Sequence, residues 1–275
     1  MLYSQMFAHQ NCLLENTMLG FVKALPLILA LAILGLFTAS CNSSNNAHVR
    51  FVNAIADTED YGNTGLDIDF NGTKEFTDVA FSGIQPTSGY TPVPSGSVTV
   101  NGLETGGTNV IFSLPGVDLS SGTDYTLVST GNVLETNVKI ISPADNNTAP
   151  ANGSVNFRVI NASPSGPGGG GAAADVYVLQ IPNDGIVGET PQISGLAYDT
   201  TSSYVTLPFN SGGEGWSLIV TVHGGTTPFM NTTINNFGSA TTGAICTLVL
   251  TDQQEGNQMN SSPIYLNDLN GCTGP

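Results

Sequence analysis

Arg50-Phe51-Val52-Asn53-Ala54 (RFVNA) recurs further along the chain as Arg158-Val159-Ile160-Asn161-Ala162 (RVINA). At the same offset, Asp67-Ile68-Asp69-Phe70 recurs as Asp175-Val176-Tyr177-Val178. Tyr90-x-x-Val93-Pro94 returns as Tyr204-x-x-Leu207-Pro208. Gly122-x-x-Tyr125-Thr126-Leu127-Val128 returns as Gly243-x-x-Cys246-Thr247-Leu248-Val249. Four blocks keep their order while the spacing drifts, as expected of a duplicated domain with loop insertions.

Inside the first copy, VRFVNA, LDIDF, FTDVAF, SVTV, NVIFSL, YTLVST and NVKIIS read as short strands separated by turn residues. Seven strands in about 95 residues give an immunoglobulin-like count. No stretch beyond the apolar N-terminal segment has helical periodicity. The expected fold is all-β, with two tandem immunoglobulin-like β-sandwich domains at 48–141 and 155–275. The segment 142–154 (SPADNNTAPANGS) reads as a linker by composition. Pro92, Pro94 and Pro208 belong at edges or in loops, because proline cannot donate to a ladder.

Composition agrees. Only 9% of the 275 residues are charged, against a usual fraction of about 25%. Five Lys+Arg stand against 21 Asp+Glu, for a net charge of −16. Such a balance excludes a basic track for a phosphate backbone, and with it nucleic-acid binding.

The N-terminus reads as an address. Ala24 to Phe37 (ALPLILALAILGLF) is apolar, too short to span a bilayer and the right length for a signal-peptide core. Lys23 precedes it, and Thr38-Ala39-Ser40-Cys41 follows. The layout resembles a bacterial lipoprotein signal, in which Cys41 would be lipidated and become the first mature residue. Residues 1–40 are then the signal region and 41–47 a polar tether. Met18 makes a better start than Met1, since Glu15 opposes a positive leader. Asn42 after the cysteine, rather than Asp, implies by the same resemblance an outer-membrane location, periplasmic or surface-exposed. Glu15 and Lys23 cancel, so the charge of −16 belongs to the exported part.

The series V-R-x-V-N-A, D-V-Y-V, G-Y-x-x-V-P and G-T-D-Y-T-L-V resembles the domain-of-unknown-function 4397 (DUF4397) family of secreted bacterial proteins, whose domain often occurs in tandem. The second copy departs at Ser203 and Cys246, where the first has Gly89 and Tyr125. The resemblance implies architecture and an exported location, and no chemistry.

With Cys12 ahead of Met18 and Cys41 lipidated, Cys246 and Cys272 remain, and an oxidising compartment favours a disulfide between them. Asp57, Glu59 and Asp60 form an acidic loop that could offer oxygens to calcium, although no EF-hand or nonapeptide spacing is present. Asp67 and Asp69 share one strand face opposite Leu66, Ile68 and Phe70. Arg50 with Asp67, and Arg158 with Asp175, are expected as ion pairs within each copy. His48 and His223 show no metal spacing, and Ser–His–Asp catalysis is poorly supported. Gly168 to Gly171 reads as a flexible insertion rather than a nucleotide loop, and Trp216 as a packing residue before a sugar platform. The expectation is a lipid-anchored envelope protein with a non-catalytic binding, adhesion or structural role. It needs no cofactor, and its partner is an envelope or extracellular protein or glycan. The alternatives are a carbohydrate- or calcium-binding surface module, or an envelope-polymer hydrolase.

Overall fold

A computed structural model describes residues 45–58, 65–181, 185–208, 215–235, 242–254, 256, 258–270 and 272–274. The signal region, Met18, Cys41, Glu59 and Asp60 lie outside the described residues. Ser44–Pro275 forms one compact unit.

The unit is all-β and built twice. The first half has β1 (Asn46–Asn53), β2 (Gly65–Phe70), β3 (Thr73–Ala80), β4 (Ile84–Gln85), β5 (Thr91–Pro94), β6 (Gly96–Glu104), β7 (Val110–Leu119), β8 (Asp124–Thr130) and β9 (Lys139–Ile141). The second half has β10 (Ser154–Ala162), β11 (Ala174–Gln180), β12 (Ile193–Leu196), β13 (Thr200–Thr201), β14 (Val205–Pro208), β15 (Trp216–Val222), β16 (Pro228–Ile234), β17 (Ala244–Thr251) and β18 (Ile264–Leu269). One sheet of each half runs β4-β1-β8-β9 or β13-β10-β17-β18, with β5 or β14 also on the first strand. The other runs β3-β2-β6-β7 or β12-β11-β15-β16. The two halves therefore share one strand order, as the repeat predicts. All seven strands read in the first copy are present. The two further strands, β4 and β5, are too short for alternation to mark them. Pro92, Pro94 and Pro208 lie in β5 and β14, which pair on one side only.

β1 runs parallel to β8, and β10 parallel to β17. These four strands are buried on both faces, which explains their nearly continuous apolar runs. Side chains alternate. Val49, Phe51 and Leu127 meet Leu66, Ile68 and Phe70 in the core of the first half. Phe157, Val159 and Leu248 meet Val176, Val178, Leu218 and Val220 in the second. The opposite faces of these strands, with β9 and β18, bring Val52, Ala54, Val128 and Ile141 against Ile160, Ala162, Val249 and Ile264, in a third apolar cluster that joins the halves.

Trp216 is buried to 4% exposure within the second core. Cys246 and Cys272 form a disulfide with a Cα–Cα distance of 5.6 Å, fastening the C-terminal segment to β17. In the first half the equivalent residue is Tyr125, whose hydroxyl accepts a hydrogen bond from Ser120 N.

Candidate functional site

Arg50 and Arg158 sit on the outward faces of β1 and β10, one residue from core positions, so they point at the other half. Arg50 Nη2 donates to Asp268 Oδ1 at 2.6 Å and to Thr126 Oγ1 at 2.7 Å. Arg158 Nη2 donates to Asp145 Oδ1, its Nε to Thr247 Oγ1 at 3.0 Å, and its Nη1 to the Ala144 carbonyl at 3.0 Å. Thr126 and Thr247 pass the chain on, donating to Asp145 Oδ2 at 2.7 Å and Asp268 Oδ2 at 2.6 Å. Tyr90 OH also donates to Asp145 Oδ2, at 2.7 Å. Arg50 lies over the ring of Tyr90 and Arg158 over that of Tyr204. Burial drives the Asp268 carboxyl above the ordinary carboxylate range, against the pull of Arg50 and Thr247. The Arg50 guanidinium is shifted upward, because Asp268 and Asp145 outweigh its burial.

This corrects the expected Arg50–Asp67 and Arg158–Asp175 pairs. Leu66, Ile68 and Phe70 face the core, so Asp67 looks out of the far sheet of the sandwich. Arg50 looks out of the near one, and the whole apolar core separates them. The true partners, Asp145 and Asp268, sit at equivalent places beside the last pairings: Asp145 follows the Tyr125–Ala144 bridge, and Asp268 lies at the irregularity of β18 between the Cys246–Asn267 and Ile245–Leu269 pairs. No shared motif surrounds the two aspartates, so the repeat does not reveal them. Thr126, Thr247, Tyr90 and Tyr204 do lie inside the repeated blocks, which could have marked them.

Asp67 and Asp175 instead brace loops. Asp67 accepts from Lys74 Nζ at 2.5 Å, Asp78 N at 2.8 Å and Gly106 N at 3.0 Å. Asp175 accepts from Ser194 Oγ at 2.8 Å, Gly195 N at 2.7 Å and Gly224 N at 2.9 Å, with His223 Nδ1 at 2.9 Å. Burial raises both carboxyls, but these donors outweigh it; Asp67 ends below its ordinary value and Asp175 falls to about 2. Ser194, His223 and Asp175 have the composition of a hydrolase triad without its geometry. The serine and the aspartate both stand at Nδ1, the serine 3.5 Å away, and Ser194 spends its proton on Asp175. A triad needs the serine at Nε2.

The loops that follow the four two-sided strands open into one cleft. About 460 Å³ in volume, it is lined by Ala56, Asn132, Glu135, Ser165, Gly170 and Asp252, among others, from both halves. Its walls are fixed by carboxylates. Asp57 accepts from Val133 N and Leu134 N, each at 3.0 Å. Asp252 accepts from Ser163 Oγ and, at 2.7 Å, from Ser165 Oγ. Asn132 and Asn137 close the next turn: Asn132 N donates to Asn137 Oδ1, and Glu135 N to Asn132 Oδ1. Gly168 to Gly171 all have positive φ between 72° and 88°. That run of positive φ favours glycine, and Gly170 and Gly171 line the cleft. Asp57, one of the calcium candidates, is thus spent on backbone N–H groups. Among the described residues no group of three or more His, Cys, Asp or Glu is placed to hold a metal ion. A larger open groove of about 610 Å³, beside Gln180, Glu189 and Trp216, belongs to the second half alone.

No curated protein matches the chain. A solved structure described as "Alpha-glucan recognition by family 41 carbohydrate-binding modules from streptococcal virulence factors" is similar at 13% identity. The match covers 80% of this chain and 100% of that one, with a TM-score of 0.21. The Bacillus anthracis TIE protein is similar at 10% identity over 75% of this chain and 34% of that one, with a TM-score of 0.20. Residues 47–168 match a family model that takes in the first half, the connection and β10. Over those residues, under half of the chain, the sequence matches the family described as Domain of unknown function (DUF4397).

Proposed function

We propose that the protein is a non-catalytic binding module of the bacterial cell envelope, held to the outer membrane by lipid on Cys41 and presenting the cleft between its halves to a ligand. The observation that carries the binding reading is the cleft itself. Loops from four strands are stapled to one another by Asp57 and Asp252, and a site whose walls are fixed by the protein's own bonds costs a ligand little ordering. Its lining of amides, hydroxyl, carboxylates and bare glycine backbone suits a polar partner, either a glycan or a loop of an envelope protein. Catalysis finds no support in the Ser194–His223–Asp175 grouping among the described residues, whose serine stands at the wrong nitrogen.

The test is affinity capture from envelope extract on the immobilised Ser44–Pro275 unit, with and without calcium, alongside Asn132→Ala and Glu135→Ala. Retention of one glycan or protein that both variants weaken supports the reading. Retention unaffected by either variant moves the site elsewhere, and hydrolysis of the retained polymer overturns the non-catalytic role. Calcium-dependent retention favours the calcium-binding alternative. The anchor is tested separately: Cys41→Ser releases the protein from the membrane fraction and abolishes labelling with a fatty-acid analogue. Persistent membrane attachment of that variant refutes lipidation.

A further inference from the structure

The contacts that join the halves come in reciprocal pairs. The bond from Arg50 to Asp268 is answered by that from Arg158 to Asp145. Thr130 Oγ1 donates to the Ala162 carbonyl at 2.6 Å, and its counterpart Thr251 Oγ1 to the Ala54 carbonyl at 3.3 Å. In the apolar cluster Val52, Ala54, Val128 and Ile141 meet their own equivalents Ile160, Ala162, Val249 and Ile264. Contacts of that form, where i meets j and j meets i, are the signature of an isologous interface of the kind that builds two-fold dimers. A patch satisfied by its own equivalent is self-complementary, and its natural occupant is another copy of the same domain.

We propose that the outward face of the β1-β8-β9 sheet, with its equivalent β10-β17-β18, is a pairing surface for domains of this type, and that a second copy of this chain can supply the partner. The short connection from Ile141 to Ser154 gives the two halves an effective concentration on the order of millimolar, so the chain closes on itself. The recognition nevertheless lies in the faces and not in the connection. Each face carries a buried arginine aimed at the partner's aspartate, so an apolar sheet or an unrelated domain would leave those charges unpaired.

The experiment places a specific protease site between Asn146 and Asn152 of the Ser44–Pro275 unit and cuts it after folding. The two fragments are expected to remain one species of the intact mass at roughly 1 μM. Mixed under mild urea with a cut unit tagged on its second half, the tagged half should retain first halves from the untagged protein. Ala162→Glu, at the apolar centre, should leave the uncut unit folded and make the fragments part once cut. Should that variant fail to fold, Ile160→Ala supplies the graded arm, with fragment affinity at least tenfold lower. Fragments that separate or precipitate on cutting the unaltered unit overturn the proposal. So does failure to exchange with the tagged unit, or unchanged affinity in the Ile160→Ala fragments.

Discussion

Replacing Arg158 by alanine should be among the costliest single changes in the protein. Arg158 is the largest fully buried side chain among the described residues, at 1% exposure. Its loss removes three hydrogen bonds, to Asp145, Thr247 and the Ala144 carbonyl. One is charge-to-charge and two are from a charged donor; each contributes about 1.5–3 kcal/mol, but bonds that share one network do not add. The better guide is the charge left behind. Asp145 has no exposed side-chain surface. It would keep the hydroxyls of Thr126 and Tyr90 but retain Arg50 only at 3.7 Å. Breaking a buried pair in this way costs about 3–5 kcal/mol. Urea unfolding of the Ser44–Pro275 unit, followed by tryptophan fluorescence and circular dichroism, measures it. Arg158→Ala with Asp145→Asn should lose less than the sum of the two single changes, because the stranded charge is gone. The exposed pair Lys139–Asp199, joined at 2.7 Å with side chains 50% and 33% exposed, is the control. Lys139→Ala should cost less than about 1 kcal/mol. If Arg158→Ala costs no more than Lys139→Ala, the junction is not held by its buried charges and the reasoning fails.

Asp175→Asn should destabilise by about 2 kcal/mol at pH 7, the equivalent of a carboxyl lowered from 3.8 to about 2. Because the folded value is depressed, that stabilisation is present above the unfolded pKa and fades as pH falls toward 2. The gap between variant and parent in urea titrations should therefore close by about pH 2, and a constant gap refutes it. Cys246→Ser with Cys272→Ser opens a cross-link of sequence separation 26. In the chain-entropy model that costs about 3.5 kcal/mol, seen as a lower melting temperature that reductant reproduces in the parent and not in the variant. Phe51→Ala empties the centre of the first core, where Phe51 stacks on Phe76 at 5.9 Å. It should cost about 3–5 kcal/mol in the same unfolding assay.

The architecture was legible because β1 and β10 obey a rule visible in one dimension. Alternation and turn residues mark strands, and a repeated motif marks a repeated fold. The charged partners were not legible, for a geometric reason. Arg50 and Asp67 both lie in repeated blocks and invite pairing, yet strand alternation sends them out of opposite sheets of the sandwich. Asp145 sat in a stretch that composition assigns to a linker, although Ala144 bridges Tyr125 and Arg158 binds its carbonyl. Gly243 shows the same close docking: a Cβ there would fall 2.3 Å from the Pro150 carbonyl. Polar composition signals loose chain only where nothing buried needs its oxygens. The cleft was illegible because its lining comes from loops after four separate strands, each ordinary by itself.

Duplication has a consequence for that cleft. Each lining loop faces its counterpart from the other half, yet the counterparts differ: Gly131 answers Asp252, and Ala56 answers Pro164. Two identical chains meeting this way would offer a ligand two equivalent orientations. One chain folded against itself has been free to change each wall alone, so a partner with a head and a tail can seat in a single direction.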